Sequence, residues 1–93
     1  MQDVISDEDA LKNIAANVSR LMQENGLGYS ELARRCSLPG ARIYPAGIQR
    51  IERGENMPGA ALLSRLAEAL GVTGNDLIAA PPPKPPKKFS RAS

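Results

Sequence analysis

Two short segments decide how this chain is read: Leu32-Ala33-Arg34-Arg35-Cys36 and, after a break, Ile48-Gln49-Arg50-Ile51-Glu52-Arg53-Gly54. In the first, Leu32, Ala33 and Cys36 fall on one side of a helix, and Arg34 and Arg35 on the other. In the second, Ile48 and Ile51 repeat the same helical step. Between them, Ser37-Leu38-Pro39-Gly40-Ala41-Arg42-Ile43-Tyr44-Pro45 carries turn chemistry. Pro39-Gly40 marks a turn, and Pro45 biases Tyr44 away from helical backbone while suiting the first position of a new helix. A short helix over Tyr29–Cys36 and another opening at Pro45 are therefore expected, with Gly54 stopping the second.

The flanking sequence extends the same pattern. Upstream, Leu11, Ile14, Ala15, Val18, Leu21 and Met22 recur at steps of three and four, capped by Ser6 or Asp7 and closed at Asn25-Gly26. Lys12, Asn13, Asn17, Arg20 and Glu24 fill much of the opposite, polar face. Downstream of a loop, Leu62, Leu63, Leu66, Ala67 and Leu70 form the stripe of a helix over Ala60–Leu70, with Pro58 placed to start it and Gly71 to end it. Thr73 with Asp76 resembles a capping box and would open a brief fifth helix through Leu77 and Ile78. The expectation is an all-α, compact five-helix bundle with Leu32, Ala33, Ile48, Ile51, Leu66 and Leu70 inside. Three parts follow: an acidic flexible N-terminus at 1–9, a helical domain at 10–80, and a Pro/Lys-rich disordered tail at 81–93.

Composition limits the function classes. One Phe, two Tyr and no Trp among 93 residues suit short packed helices better than a β-sandwich. Cys36 is the single cysteine and there is no histidine, so neither an intrachain disulfide nor a zinc site is expected, and no other metal or cofactor is called for. No catalytic constellation of nucleophile, base and acid is legible, so an enzyme is not expected. No secretory leader or membrane-spanning run is read, which points to the cytoplasm. The net charge of +2 is unevenly spread: −4 over residues 1–9, +2 over 10–80 and +4 over 81–93. Such basicity is compatible with a polyanionic partner without establishing one.

In order and spacing, the two quoted segments, then Asn56-Met57-Pro58, then Leu66-Ala67-Glu68-Ala69-Leu70-Gly71-Val72, resemble the phage-repressor and Cro-like helix-turn-helix (XRE-like) transcriptional regulators. The resemblance covers roughly residues 14–78. It implies a lambda-repressor-like fold, with Leu32, Ala33, Ile48, Ile51 and Gly54 as structural residues. It also implies a structural Glu52, pairing with a basic residue of the preceding helix. It implies sequence-specific binding of double-stranded DNA by a homodimer, as a repressor or antitoxin-like autoregulator. The helix from Pro45 is then the recognition helix, and Tyr44, Ala46, Gly47, Gln49 and Arg50 face DNA at its start, with Arg53 and Asn56 as backbone anchors.

Three departures from the family pattern stand out. Gly28-Tyr29 replaces the usual Ser-Gln, leaving the Tyr29 hydroxyl to reach phosphate. Ala46 and Gly47 supply no hydrogen-bonding code. The turn of the motif is about five residues longer than usual, an insertion near 39–43 that tolerates its length at small entropic cost. Arg42, its one charged residue, is then a candidate phosphate contact; the same loop could instead obstruct the groove. Ile43 and Tyr44 either fold back on the preceding helix or join a dimer contact. The alternative reading is a protein-interaction or dimerisation module that has lost specific DNA reading. The proline- and lysine-rich tail is a further candidate for holding a protein partner.

Overall fold

The computed structural model describes residues 6–82 and contains five helices: α1 (Asp7–Asn25), α2 (Tyr29–Cys36), α3 (Pro45–Glu52), α4 (Ala60–Leu70) and α5 (Gly74–Ile78). Ser6 caps α1, its hydroxyl oxygen accepting from the Asp9 amide at 3.1 Å. Asp7, Glu8 and Asp9 occupy the first turn, where carboxylates favour the positive end of the helix dipole. The acidic residues from Asp7 onward are thus helical. The expected flexible leader of nine residues is corrected at 7–9, and residues 1–5 lie outside the described part.

The helices close on one core of Ile14, Val18, Leu21, Met22, Leu32, Ala33, Cys36, Ile48, Ile51, Leu66, Ala67, Leu70 and Leu77. All six residues expected inside from their spacing are there. Burying a side chain the size of Ile or Leu contributes about 1.5–3 kcal/mol, so Ile14, Leu32, Ile48, Ile51, Leu66 and Leu77, each almost wholly enclosed, supply much of the driving force. Helix α2 packs on α3 and α4, while α1 packs on α3, α4 and α5. The two short motif helices are therefore held from behind by α1 and α4.

Loop chemistry fixes where α3 begins and ends. Tyr44 is its extended N-cap and Pro45 its first residue. After Glu52 the chain turns through Gly54 at φ 75°, a left-handed conformation that costs other residues roughly 1–2 kcal/mol. A Cβ on Gly54 would lie 3.8 Å from that of Ala15, so the exit from α3 rests against α1. Pro58 is buried in the following loop and does not open α4, whose N-cap is Gly59.

One residue of α1 sits on the other side from where its polarity places it. Asn17, expected on the solvated face, is completely buried. Its Nδ2 donates to the carbonyls of Leu77 and Ala79, each at 2.8 Å, and to that of Asp76 at 3.2 Å. Asn13 adds a bond to the Ile78 carbonyl at 2.9 Å, and Arg20 donates to Asn17 Oδ1 at 3.0 Å. The reason is tertiary: α5 ends against α1, its last carbonyls lack partners of their own, and buried carbonyls require donors. The other end of α5 carries the expected capping box, with Thr73 Oγ1 accepting from the Asp76 amide and Asp76 accepting from the Thr73 amide. Among the described residues no helix is long and apolar enough to cross a membrane.

Candidate nucleic-acid interface

The α2–α3 pair is joined by apolar contact beneath and one polar bond at its rim. Leu32, Ala33 and Cys36 of α2 face Ile48 and Ile51 of α3 in the common core. At the rim, the Tyr29 hydroxyl donates a short hydrogen bond to the Glu52 carboxylate. That bond, followed by burial and the charge of Glu52, raises the Tyr29 phenol above its ordinary value of 10.0, so it stays protonated at neutral pH.

This geometry corrects the expected partner of Glu52. Arg34 and Arg35 do not reach it, because Glu31 on their own helix takes both. Arg34 bonds it through Nε and Nη2, and Arg35 through Nε at 2.9 Å. Hydrogen bonds from the two guanidiniums, Arg34 first, hold the Glu31 carboxyl down at about 2. The same contact redirects Tyr29. Its single hydroxyl proton is already engaged, and a phosphate contact would have to break that bond.

Taken together, these pairings leave no acid among the residues that line the groove beside α3. Glu52 is turned to Tyr29, Glu31 is neutralised by two arginines, and the first turn of α3 carries no acidic residue. Arg42, Arg50 and Arg53 are exposed, and among the described residues none of the three takes part in an ion pair. A groove of about 430 Å³ is lined by the apolar Ile43, Ile51 and Leu62 and the small Ala46 and Gly47, together with Arg42, Tyr44, Arg50 and Asn56. Gln49 is half-buried one residue before Arg50. A groove lined by two arginines and no acid, beside a two-helix unit clamped from behind, is a shape a polyanionic backbone can enter.

The helix-turn-helix domain family matches residues 14–80. The chain belongs to the helix-turn-helix family. The match spans all five helices except the first turns of α1. A solved structure described as a hypothetical transcription factor, NHTF, from Neisseria is similar at TM-score 0.69 and 23% identity, over 87% of each chain. At that identity the likeness is one of fold. No curated protein matches.

Within this helix-turn-helix unit, the turn is longer than a bare connection between helices and is itself folded. Leu38 and Ala41 exchange backbone bonds of 3.1 and 2.8 Å around Gly40, whose φ is 82°. Ser37 Oγ accepts from the Ile43 amide at 2.8 Å and lies 2.9 Å from the Ala33 carbonyl, to which it donates. Ile43 folds back onto the core, whereas Tyr44 stays 62% exposed.

Most of the residues read from sequence as facing DNA meet around the groove: Arg42, Tyr44, Ala46, Gly47, Arg50 and Asn56. Arg53 lies apart, lining a separate cleft with Glu8, Lys12 and Glu52 of α1 and α3. Sequence reasoning missed Ser37, which ties the loop to α2, and Arg65, whose Nε caps α2 by donating to the Cys36 carbonyl at 2.7 Å. A serine just past a helix end was the available signal for the first. The second needed the docking of α4.

Tyr29→Phe tests the rim bond. The variant should lose a few degrees of melting temperature at neutral pH. A phenol whose folded value is raised contributes stability below its ordinary value and loses it as pH rises through the folded one. The gap from wild type should therefore narrow above pH 10. A gap that is absent at neutral pH, or constant into the alkaline range, would show that the bond is inert.

Proposed function

We propose that this helix-turn-helix protein binds double-stranded DNA in a sequence-specific manner. In this reading it is a small transcriptional regulator, a repressor or antitoxin-like autoregulator, acting as a homodimer. The observation that carries the reading is the groove beside α3, lined by two arginines and no acid. Gln49 is suited to adenine and Arg50 to guanine or phosphate. Arg42, Arg53 and Asn56 are suited to the backbone. A unit this small makes few contacts alone, and two copies on half-sites about one helical turn apart would supply the rest. The folded domain carries recognition, and the four cations of residues 81–93 add sequence-independent attraction.

Arg50→Ala should reduce binding to the specific site by about 1–3 kcal/mol while changing random-duplex binding much less. Equal losses on both would assign Arg50 to the backbone. The exposed Leu38, Tyr44 and Met57 favour a second reading, a module that binds protein through the same end of the molecule. Mobility shifts at two salt concentrations separate the two. Specific binding that weakens with salt supports the first reading, and no binding even at low salt supports the second.

A further inference from the structure

The lengthened turn is built to present one side chain. Tyr44 is extended (φ −104°, ψ 151°), and burial alternates along the segment that leads to it: Ala41 and Ile43 are half-buried, Arg42 and Tyr44 exposed. Ile43 faces the core, and Arg42 and Tyr44 emerge together on the outside. There the Arg42 guanidinium lies over the Tyr44 ring, 5.5 Å from its centroid. The loop beneath is pinned by the Leu38–Ala41 bridge and by Ser37, so the stack stands on a folded base.

We propose that Tyr44 is a positioning residue that holds Arg42 ready for a phosphate of duplex DNA at the edge of the α3 groove. This rests on the DNA-binding reading above and says how its lengthened turn takes part. A long arginine free in solvent loses rotamer freedom when it binds, and a ring that already holds the guanidinium reduces that loss. Tyr44 acts through Arg42. The turn is then an arm that adds one electrostatic contact, with no sequence information of its own.

The test is a double-mutant cycle in the full chain, read as duplex affinity over a range of salt. Arg42→Ala should weaken specific and random duplex by the same factor and lower the salt slope by about one unit. Tyr44→Ala should weaken both by about two- to fivefold, the strength of an exposed cation–π contact. Tyr44→Phe keeps the ring and should retain wild-type affinity. The double variant should match Arg42→Ala alone. Both side chains are exposed, so melting temperatures should stay at the wild-type value and certify the fold. Unchanged affinity and slope in Arg42→Ala would overturn the phosphate contact while specific wild-type binding leaves the DNA reading intact. A loss in Tyr44→Phe, or a double variant weaker than Arg42→Ala, would show Tyr44 touching DNA itself and overturn the positioning role. A wild-type chain that binds no duplex at all would remove the underlying reading.

Discussion

Replacing Asn17 with leucine should cost about 3 kcal/mol of folding free energy, although leucine matches it in size and is more apolar. The Leu77 carbonyl would lose its donor without gaining water, and a buried carbonyl left unpaired costs about 1–3 kcal/mol. The Asp76 and Ala79 carbonyls, at exposed residues, lose a donor that solvent replaces only in part. In a domain of this length 1 kcal/mol corresponds to about 4–8 °C, so the melting temperature should fall by roughly 12–24 °C. Asn13→Ala, at a half-buried position with a single bond to Ile78, should cost much less. A fall of only a degree or two for Asn17→Leu would mean that the end of α5 finds other donors. The reading of α5 as clamped to α1 would then be wrong.

Enlarging Gly47 should move stability and binding in opposite directions. This glycine lies in the first turn of α3, its φ is not positive, and a Cβ there would meet nothing within 4 Å. The fold therefore has no use for the missing side chain, and glycine within a helix costs about 0.5–1 kcal/mol relative to alanine. Gly47→Ala should raise the melting temperature. Gly47 lines the groove, so if DNA enters there the added methyl should weaken binding, and Gly47→Leu should weaken it about 100-fold, roughly 2.7 kcal/mol. Gly54→Ala is the contrasting case. Its left-handed backbone should make the variant less stable by about 1–2 kcal/mol, with no change in duplex contacts once folded. Wild-type affinity in a folded Gly47→Leu protein would place the DNA elsewhere.

The spacing of Leu32, Ala33, Ile48 and Ile51 was enough to draw the central pair of helices, because each repeats the step of a half-buried helix. Thr73 and Asp76 announced the start of α5 for the same local reason: both bonds of the box span three residues. Asn17 and Glu52 were opaque because their partners lie far along the chain. Asparagine among Lys12, Asn13 and Arg20 reads as solvated until α5 arrives with carbonyls to satisfy. For Glu52 the nearest cations looked like Arg34 and Arg35, yet Glu31 stands three and four residues before them and captures both. That left Tyr29, whose hydroxyl the sequence alone assigns to a phosphate and the fold turns to Glu52. At the candidate site, the cations were visible as residue types. The absence of acids from the groove around Arg42 and Arg50 was not, since it depends on which acids are paired elsewhere.

The clasp between α1 and α5 also orders events in time. Asn17 and Asn13 bond residues 59 to 65 positions away, so they join the early part of the sequence to its later part. During synthesis Asn17 and Asn13 lack these carbonyl partners until residues 76–79 have been made. A nascent chain that already has α1 through α4 still exposes the seat of Leu77 and an unpaired amide beside it. Closure of the bundle therefore waits for the segment that carries α5. A chain cut short before residue 76 should lack the clasp and be cleaved faster by protease than the full chain.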